Sequence, residues 1–564
     1  MIRLPPIYYN EKGMVLSVAL MLLAILTLIG SAAIVATRTE VKIAGNWNAH
    51  TRTFYAAEAG LEKGIVDLKA LLASTSDPTP SQLAAITPPV LSDPSISFEP
   101  LEILNVSSSQ IVIGDGTYQG LRADATDYQI TAEVKGPAGT RSRLVQVVEY
   151  LEIPLFQFGV FYGRGVNLEI SPGPAMTFNG RVHSNSNLYL AGGNPLKFDS
   201  FVTTVGDVYR YQRMNPSNRS NDPQIKDASG NYQTLNFDHE YSRDFINPWS
   251  EAEWKSETLT TFGGKLLDSA MGVEEILPPV PDALYDPANA AGAAHQLIEK
   301  GTGSDSDAMK KAKMYYQADL RIVDGSVKDG NGSPVDMASC DSNAITNKTF
   351  YDPREQADVT VTEVDIGLLM ACGVTPANGI MYVSKDGSNR GVRLVNGAQL
   401  PSQGLTVVSE NPVYVQGNYN TVSKVPAAVM GDAITVLSSN WDDTMSNQST
   451  SSRPAIDTVV NAAFALGPNR ESTGSYNNGG LENAIRFLED WGGRTFQYRG
   501  SIVGLWHNQQ ATADHRCCGS SGTNYYNAPN RDWGYDTLFD TAQPPGTPKG
   551  VLGLTRVAWS EGQI

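Results

Sequence analysis

The chain has 564 residues, enough for two or three folded units with a large core. Lysine and arginine total 42 against 59 aspartates and glutamates, a net charge of −17, and no basic run stands out; a nucleic-acid partner, whose phosphates need clustered cations, is excluded on this ground. With 52 glycines, 32 prolines and 18% charged residues, the composition leans toward an extracytoplasmic bacterial β-rich protein and away from a cytosolic helical enzyme.

The first element begins abruptly. In NEKGMVLSVAL (Asn10 to Leu20) a charged stretch ends in glycine and unbroken apolar sequence follows. Met14 to Thr37 contains 24 residues without a charge. As a helix rising ~1.5 Å per residue it spans about 36 Å, against a hydrocarbon core of roughly 30 Å. The sequence then continues in helical register, with Val41, Ala44, Trp47, Phe54, Ala57, Leu61, Ile65, Leu68 and Leu72 at spacings of three, four or seven. One long rod is predicted, apolar all round to Thr37 and amphipathic from 38 to 75. Gly45, Gly60 and Gly64 each cost such a helix about 1 kcal/mol relative to alanine, so its second half must be supported by packing.

Hydropathy alone admits a plain signal anchor or, less well, a cleaved secretory signal. The combination of Lys12-Gly13, an apolar helix directly after it, and IAGNWNAHTRTFYAAEAGLEKGI (Ile43 to Ile65) resembles the amino-terminal region of PilX-type minor pilins of type IV pili, and more broadly the class III prepilin signals of secretion pseudopilins. The resemblance covers Glu11 to about Ile65. It implies a leader of residues 1–13, cut after Gly13 by a prepilin peptidase at the inner membrane, and N-methylation of the new terminus, Met14. The apolar helix is then retained and packs against other major and minor pilins. Major pilins carry a glutamate five residues into the mature chain, where this sequence has Val18. A buried ammonium needs a carboxylate partner, and Val18 cannot supply one to a neighbouring subunit. The resemblance therefore implies a low-copy or tip subunit.

Ala73 to Ser95, rich in Ser, Thr and Pro, reads as a loop or linker. Alternating segments follow, and YQITAEVKG with SRLVQVVEYLEI around Pro137-Ala138-Gly139 reads as a β-hairpin, suited to the small antiparallel sheet of a pilin over residues 76–155. From about Phe156 short β-like runs recur between Gly and Asn turns, which favours a parallel β-helix or stacked solenoid as a head spanning 156–564. Residues 209–363 are irregular and acidic and read as an insertion displayed on that head. The aromatic, Pro-rich end (Trp533, Tyr535, Phe539, Trp559) reads as an extended segment covering the last rung. The fold class is α+β: a long amino-terminal helix with a small antiparallel sheet, then a large mainly-β domain.

Motifs for catalysis are lacking: there is no G-x-S-x-G, H-E-x-x-H, phosphate loop or complete dinucleotide fingerprint, and no cofactor is expected. His515 near Cys517 and Cys518 offers soft-metal donors, but adjacent cysteines seldom share one metal. A disulfide suits them better, with Cys340 or Cys372 or between themselves; four cysteines allow three pairings and the sequence does not choose. Asp324, Asp329, Asn331 and Asp336 offer hard oxygen donors in a Gly-rich loop but lack the closing glutamate of an EF-hand, and read as a solvated turn. His183, Asn185 and Asn187 alternate, so that on one strand they would share a face and stack in ladders. Asp442 and Asp443 are adjacent and would point oppositely on a strand, which weakens the alternative of a membrane-anchored carbohydrate-active β-helix. The reading is a non-enzymatic pilus subunit of a Gram-negative bacterium, made at the inner membrane and carried to the cell surface, whose extracytoplasmic head meets an unknown surface ligand.

Overall fold

The computed structural model describes residues 11–75, 77–192, 195–213, 221–239, 248–277, 290–470, 478–516 and 524–562. A single helix, α1 (Glu11–Ser74), runs without interruption from the apolar segment into the amphipathic one. From Met14 to Asn48 every residue is exposed; from Ala49 onward Thr53, Ala56, Ala57, Leu61, Leu68 and Leu72 are buried. The first third of the predicted apolar stripe, Val41, Ala44 and Trp47, thus projects beyond the sheet, whose edge is reached only at Ala49. The stretch expected as a loop contains one short helix, α2 (Pro80–Ala84), with a capping box between Thr79 and Gln82 that the sequence TPSQ carries.

Beneath α1 lies an antiparallel sheet of β1 (Ser97–Phe98), β2 (Glu102–Val112), β3 (Arg122–Lys135) and β4 (Arg141–Pro154). The hairpin joining β3 and β4 turns at Pro137–Gly139, where it was read in the sequence. Alternation sorts its side chains between two cores. Tyr128, Ile130, Ala132, Val134, Leu144 and Val148 face α1, while Ala123, Ala125, Leu151 and Ile153 face the large domain. The sheet is completed by the C-terminal strand Lys549–Glu561, antiparallel to β4 with Leu554 opposite Tyr150 and Trp559 opposite Gln146. This corrects the expected ending. Asn530–Tyr535 does join a rung of the head, in parallel with Thr495–Gly500, but the last strand leaves the head and closes the sheet beside β4, which ended some 400 residues earlier. Residues 155–548 are therefore inserted between two neighbouring strands of one sheet.

The head is β-rich and its pairs are mostly parallel. Its largest sheet has 11 strands, ordered from Leu266–Leu267 through Val202–Thr204, Val182–Ser184 and Val160–Tyr162, then Ile502–Gly504, Ala463–Leu466, Ala427–Gly431, Leu405–Val408, Ile380–Ser384 and Leu320–Val323, to Ser326–Asp329. Between successive strands of this sheet the chain visits others, a 6-stranded sheet from Ile345–Asp352 to Ile485–Arg486 and shorter ones in which Leu168, Leu188 and Val208 stack in register. Strands such as Ala427–Gly431 and Leu405–Val408 are buried along their whole length, because one face lines the head's interior and the other is covered by segments 293–298 and 314–318 and by Phe539. The region expected as a displayed insertion is woven into these sheets: Leu266–Leu267 pairs with Val202–Thr203, and Leu320–Val323 with Met381–Ser384.

Candidate functional site: the exposed helix and its platform

Gly13 lies within the first turns of α1, and Met14 and Val18 are exposed at 68% and 52%. The helix is the right shape for an apolar solvent. It carries no charge from Met14 to Thr37, and Thr27, the polar side chain at its middle, returns its hydroxyl to the Leu23 carbonyl at 2.7 Å. Length and composition suffice to cross a membrane.

The platform grips the helix where its residues become small. A Cβ on Gly60 would meet Phe98 Cε1 at 2.7 Å, and one on Gly64 would meet Ile130 Cγ2 at 3.1 Å. Thr53 shares a buried hydroxyl–hydroxyl bond of 2.9 Å with Ser142 of β4. The closing strand contributes Trp559, whose ring stands 6.2 Å from that of Phe54, and Arg556, paired with Glu62 at 2.6 Å. Sequence reading missed these contacts, since period-two alternation in KGVLGLTRVAW marks a strand without naming its neighbour.

The other residues singled out in the sequence are engaged within the fold. Cys340 and Cys372 form a disulfide with Cα atoms 5.0 Å apart, so neither is available to Cys517 or Cys518, which lie outside the described residues. His515 meets the Tyr525 hydroxyl at 3.2 Å; burial first, then the charges of Arg354, Arg531 and Arg486, push its pKa down to about 3. Asp324 pairs with Lys385, Asp329 accepts from the backbone of Asn331 and Ser333, and Asp336 from that of Ala338. These carboxylates serve separate turns. Asp443 holds Arg393 through both oxygens at 2.6 and 2.9 Å, while Asp442 caps Thr444.

His183, Asn185 and Asn187 do not share one strand, because the strand ends at Ser184. They are nonetheless linked. His183 bonds Thr203 through Nδ1 at 2.8 Å and Asn185 through Nε2 at 2.9 Å, and burial pulls its pKa down to about 4. Asn187 belongs to a ladder in which Asn167 Oδ1 accepts from the Asn187 backbone and Asn187 Oδ1 from that of Asp207, each at 3.0 Å. Among the described residues no cluster of three His, Cys, Asp or Glu is placed to hold a metal ion.

Residues 12–62 match the family model for the PilX N-terminal region, the stretch in which the resemblance was read. Among solved structures the chain is similar to the competence-associated pilin ComZ from Thermus thermophilus, at 12% identity and a TM-score of 0.28 over 91% of this chain and 98% of that one. No curated protein matches the chain.

Proposed function

We propose that this chain is a minor pilin of a type IV pilus, held in the inner membrane of a Gram-negative bacterium by α1 until other pilins take the helix into a filament. The reading is carried by one coincidence: the segment that matches PilX N-terminal regions is also a helix whose first half is apolar and uncovered and whose second half is clamped on an antiparallel sheet. Its mechanism is assembly. The uncovered helix supplies non-directional apolar contacts to lipid and then to neighbouring helices. The inserted head, which we read as a parallel β-helix from its parallel pairs and stacked register, supplies surface to an unknown extracellular ligand.

Residues 1–13 act as the leader in this reading, prepilin peptidase cuts between Gly13 and Met14, and the Met14 amine is methylated. Mass spectrometry of the protein purified from its own cells should find a terminus at N-methyl Met14, and Gly13→Leu should abolish the cut. An intact leader on the assembled protein overturns the reading. Val18 supports a tip or low-copy role, and a subunit that only initiates assembly should tolerate Val18→Glu. Immunogold label along the whole filament shaft would refute the tip position.

A further inference from the structure

Past the uncharged segment, α1 still carries large apolar side chains that this chain does not cover. Ile43 and Tyr55 are exposed, Trp47 is 74% exposed, and Phe54 is half-buried. At ~100° per residue, Ile43, Trp47 and Phe54 fall within about 40° of one another and form one row along the helix. The row lies on the side of the closing strand and continues onto it: Trp559, 52% exposed, stands 6.2 Å from Phe54, which also meets Tyr55 edge-on at 5.8 Å. Lipid does not reach this row. Trp47 is ten residues past Thr37. That is ~15 Å along a helix, whereas the layer outside the hydrocarbon is only about 5–8 Å deep on each side. Contiguous exposed aromatics in water mark a surface that another protein covers.

An acid stands at each end of the row. Glu40 and Glu58 are separated by about five full turns and share the direction of Trp47 to within ~20°. Both are exposed, and neither is in an ion pair among the described residues. The cations nearby are turned elsewhere. His50 meets Glu561 at 3.8 Å, Arg52 pairs with Asp93, and Arg556 with Glu62 at 2.6 Å. Arg38 and Lys42, two residues either side of Glu40, lie on the opposite side of the helix. An occupant that covers both this row and the apolar segment below it must leave the same membrane beside α1 and run parallel to it, as a helix of the same build does. A second copy does not fit. Row against row it would set Glu40 beside Glu40 and Glu58 beside Glu58, a costly arrangement of like charges. On its other faces the cations at the upper level, Arg52 and Lys63, are already bound to Asp93 and Asp67.

We propose that the row Ile43–Trp47–Phe54–Trp559 seats the amphipathic helix of a different pilin, one with a basic residue level with Glu40, another level with Glu58, and apolar residues between. This rests on the pilin reading and adds the partner's identity to it: a heterotypic neighbour chosen by charge. The test uses the full chain in its own cells, with the photoreactive residue p-benzoylphenylalanine at position 47 or, as a control, at position 45 on the opposite face of the helix, followed by sequencing of the cross-linked peptides. Position 47 should capture the amphipathic half of another pilin's helix about tenfold more than position 45. Glu40→Lys combined with Glu58→Lys should cut that capture about tenfold and leave thermal melting of the detergent-solubilised protein in place, since both carboxylates are exposed. Adducts with lipid, with this chain's own head or with a second copy, or undiminished capture by a double variant that melts normally, overturn the proposal. The terminus of the same sample keeps two failures apart. With Met14 exposed by cleavage, the absence of a pilin adduct refutes the docking face alone; an intact leader refutes the pilin reading and the proposal with it.

Discussion

Gly60 and Gly45 occupy one helix and answer to different constraints. Gly60 lets α1 approach the sheet, since its Cβ would stand 2.7 Å from Phe98 and 3.1 Å from Ala132, whereas Gly45 has nothing within 4 Å. Gly60→Val is expected to destabilise the fold by about 1–3 kcal/mol, read as a lower denaturation midpoint. Gly45→Ala should add helix signal in circular dichroism and leave that midpoint in place. A titratable residue gives a second case. His295 is buried beneath Trp506, between Glu299 at 2.9 Å and Asp432 at 3.4 Å. Burial disfavours its charge, but the bonds and charges of Asp432 and Glu299 outweigh burial and hold its pKa up to about 9, against 6.5 for the free group. The folded state therefore keeps the proton more tightly than the unfolded chain. The stabilisation this gives is complete below pH 6.5 and is lost as pH rises through about 9. Comparing unfolding of the parent with His295→Gln across this window, the gap between them should narrow as pH rises. A constant gap would show that the histidine acts through shape alone.

The closing strand shows what an element can hide. Lys549–Glu561 pairs with β4 along nearly its whole length, and Val551 and Leu554 pack against the core under α1. A chain ending at Pro548 should keep the parallel pairs of the head but lose hydrogen-exchange protection along β4 and the second half of α1. Equal protection in both chains would refute this. The β3–β4 hairpin could be read from sequence because its turn, Pro137 to Gly139, and both strands are contiguous. The closing strand could not, because alternation reports a strand's faces and is silent on which edge, 400 residues away, it will join. The cysteines repeat the point. Three pairings were open until the antiparallel strands Ile345–Asp352 and Ala357–Asp365 brought the turn holding Cys340 beside Cys372, just after the short helix Ile366–Ala371. That bond closes a loop across 32 residues, worth about 3–4 kcal/mol in the chain-entropy estimate, and Cys340→Ser with Cys372→Ser should lower stability by that order. The long helix was the most legible element, since its period persists over many turns. The clamp on its second half was only partly legible, because Trp559 and Arg556 reach it from a strand whose partner the sequence does not name.

At the scale of the whole molecule, two features let so large a head ride on so small a sheet. The head's first strand, Val160–Tyr162, lies beside one of its last, Ile502–Gly504, in the middle of the 11-stranded sheet, so the chain enters and leaves near one place. The body of the molecule also depends on α1 only from Ala49 onward, because from Met14 to Asn48 no residue is buried. Residues 14–48 can therefore be removed without opening a core. A chain beginning at Asn48 is expected to be monomeric without detergent and to melt within a few degrees of the full chain. A chain beginning at Glu62 loses Thr53, Ala56, Ala57, Gly60 and Leu61 from the sheet face. Leu61 alone is worth about 2–3 kcal/mol of burial, and Ala132 and Val134 would be laid bare. That chain should aggregate or melt far earlier. Size-exclusion chromatography and thermal melts of the two truncations separate the cases. If both behave alike, α1 is not clamped where the structure places it, and the division of labour between an uncovered assembly helix and a packed structural one fails with it.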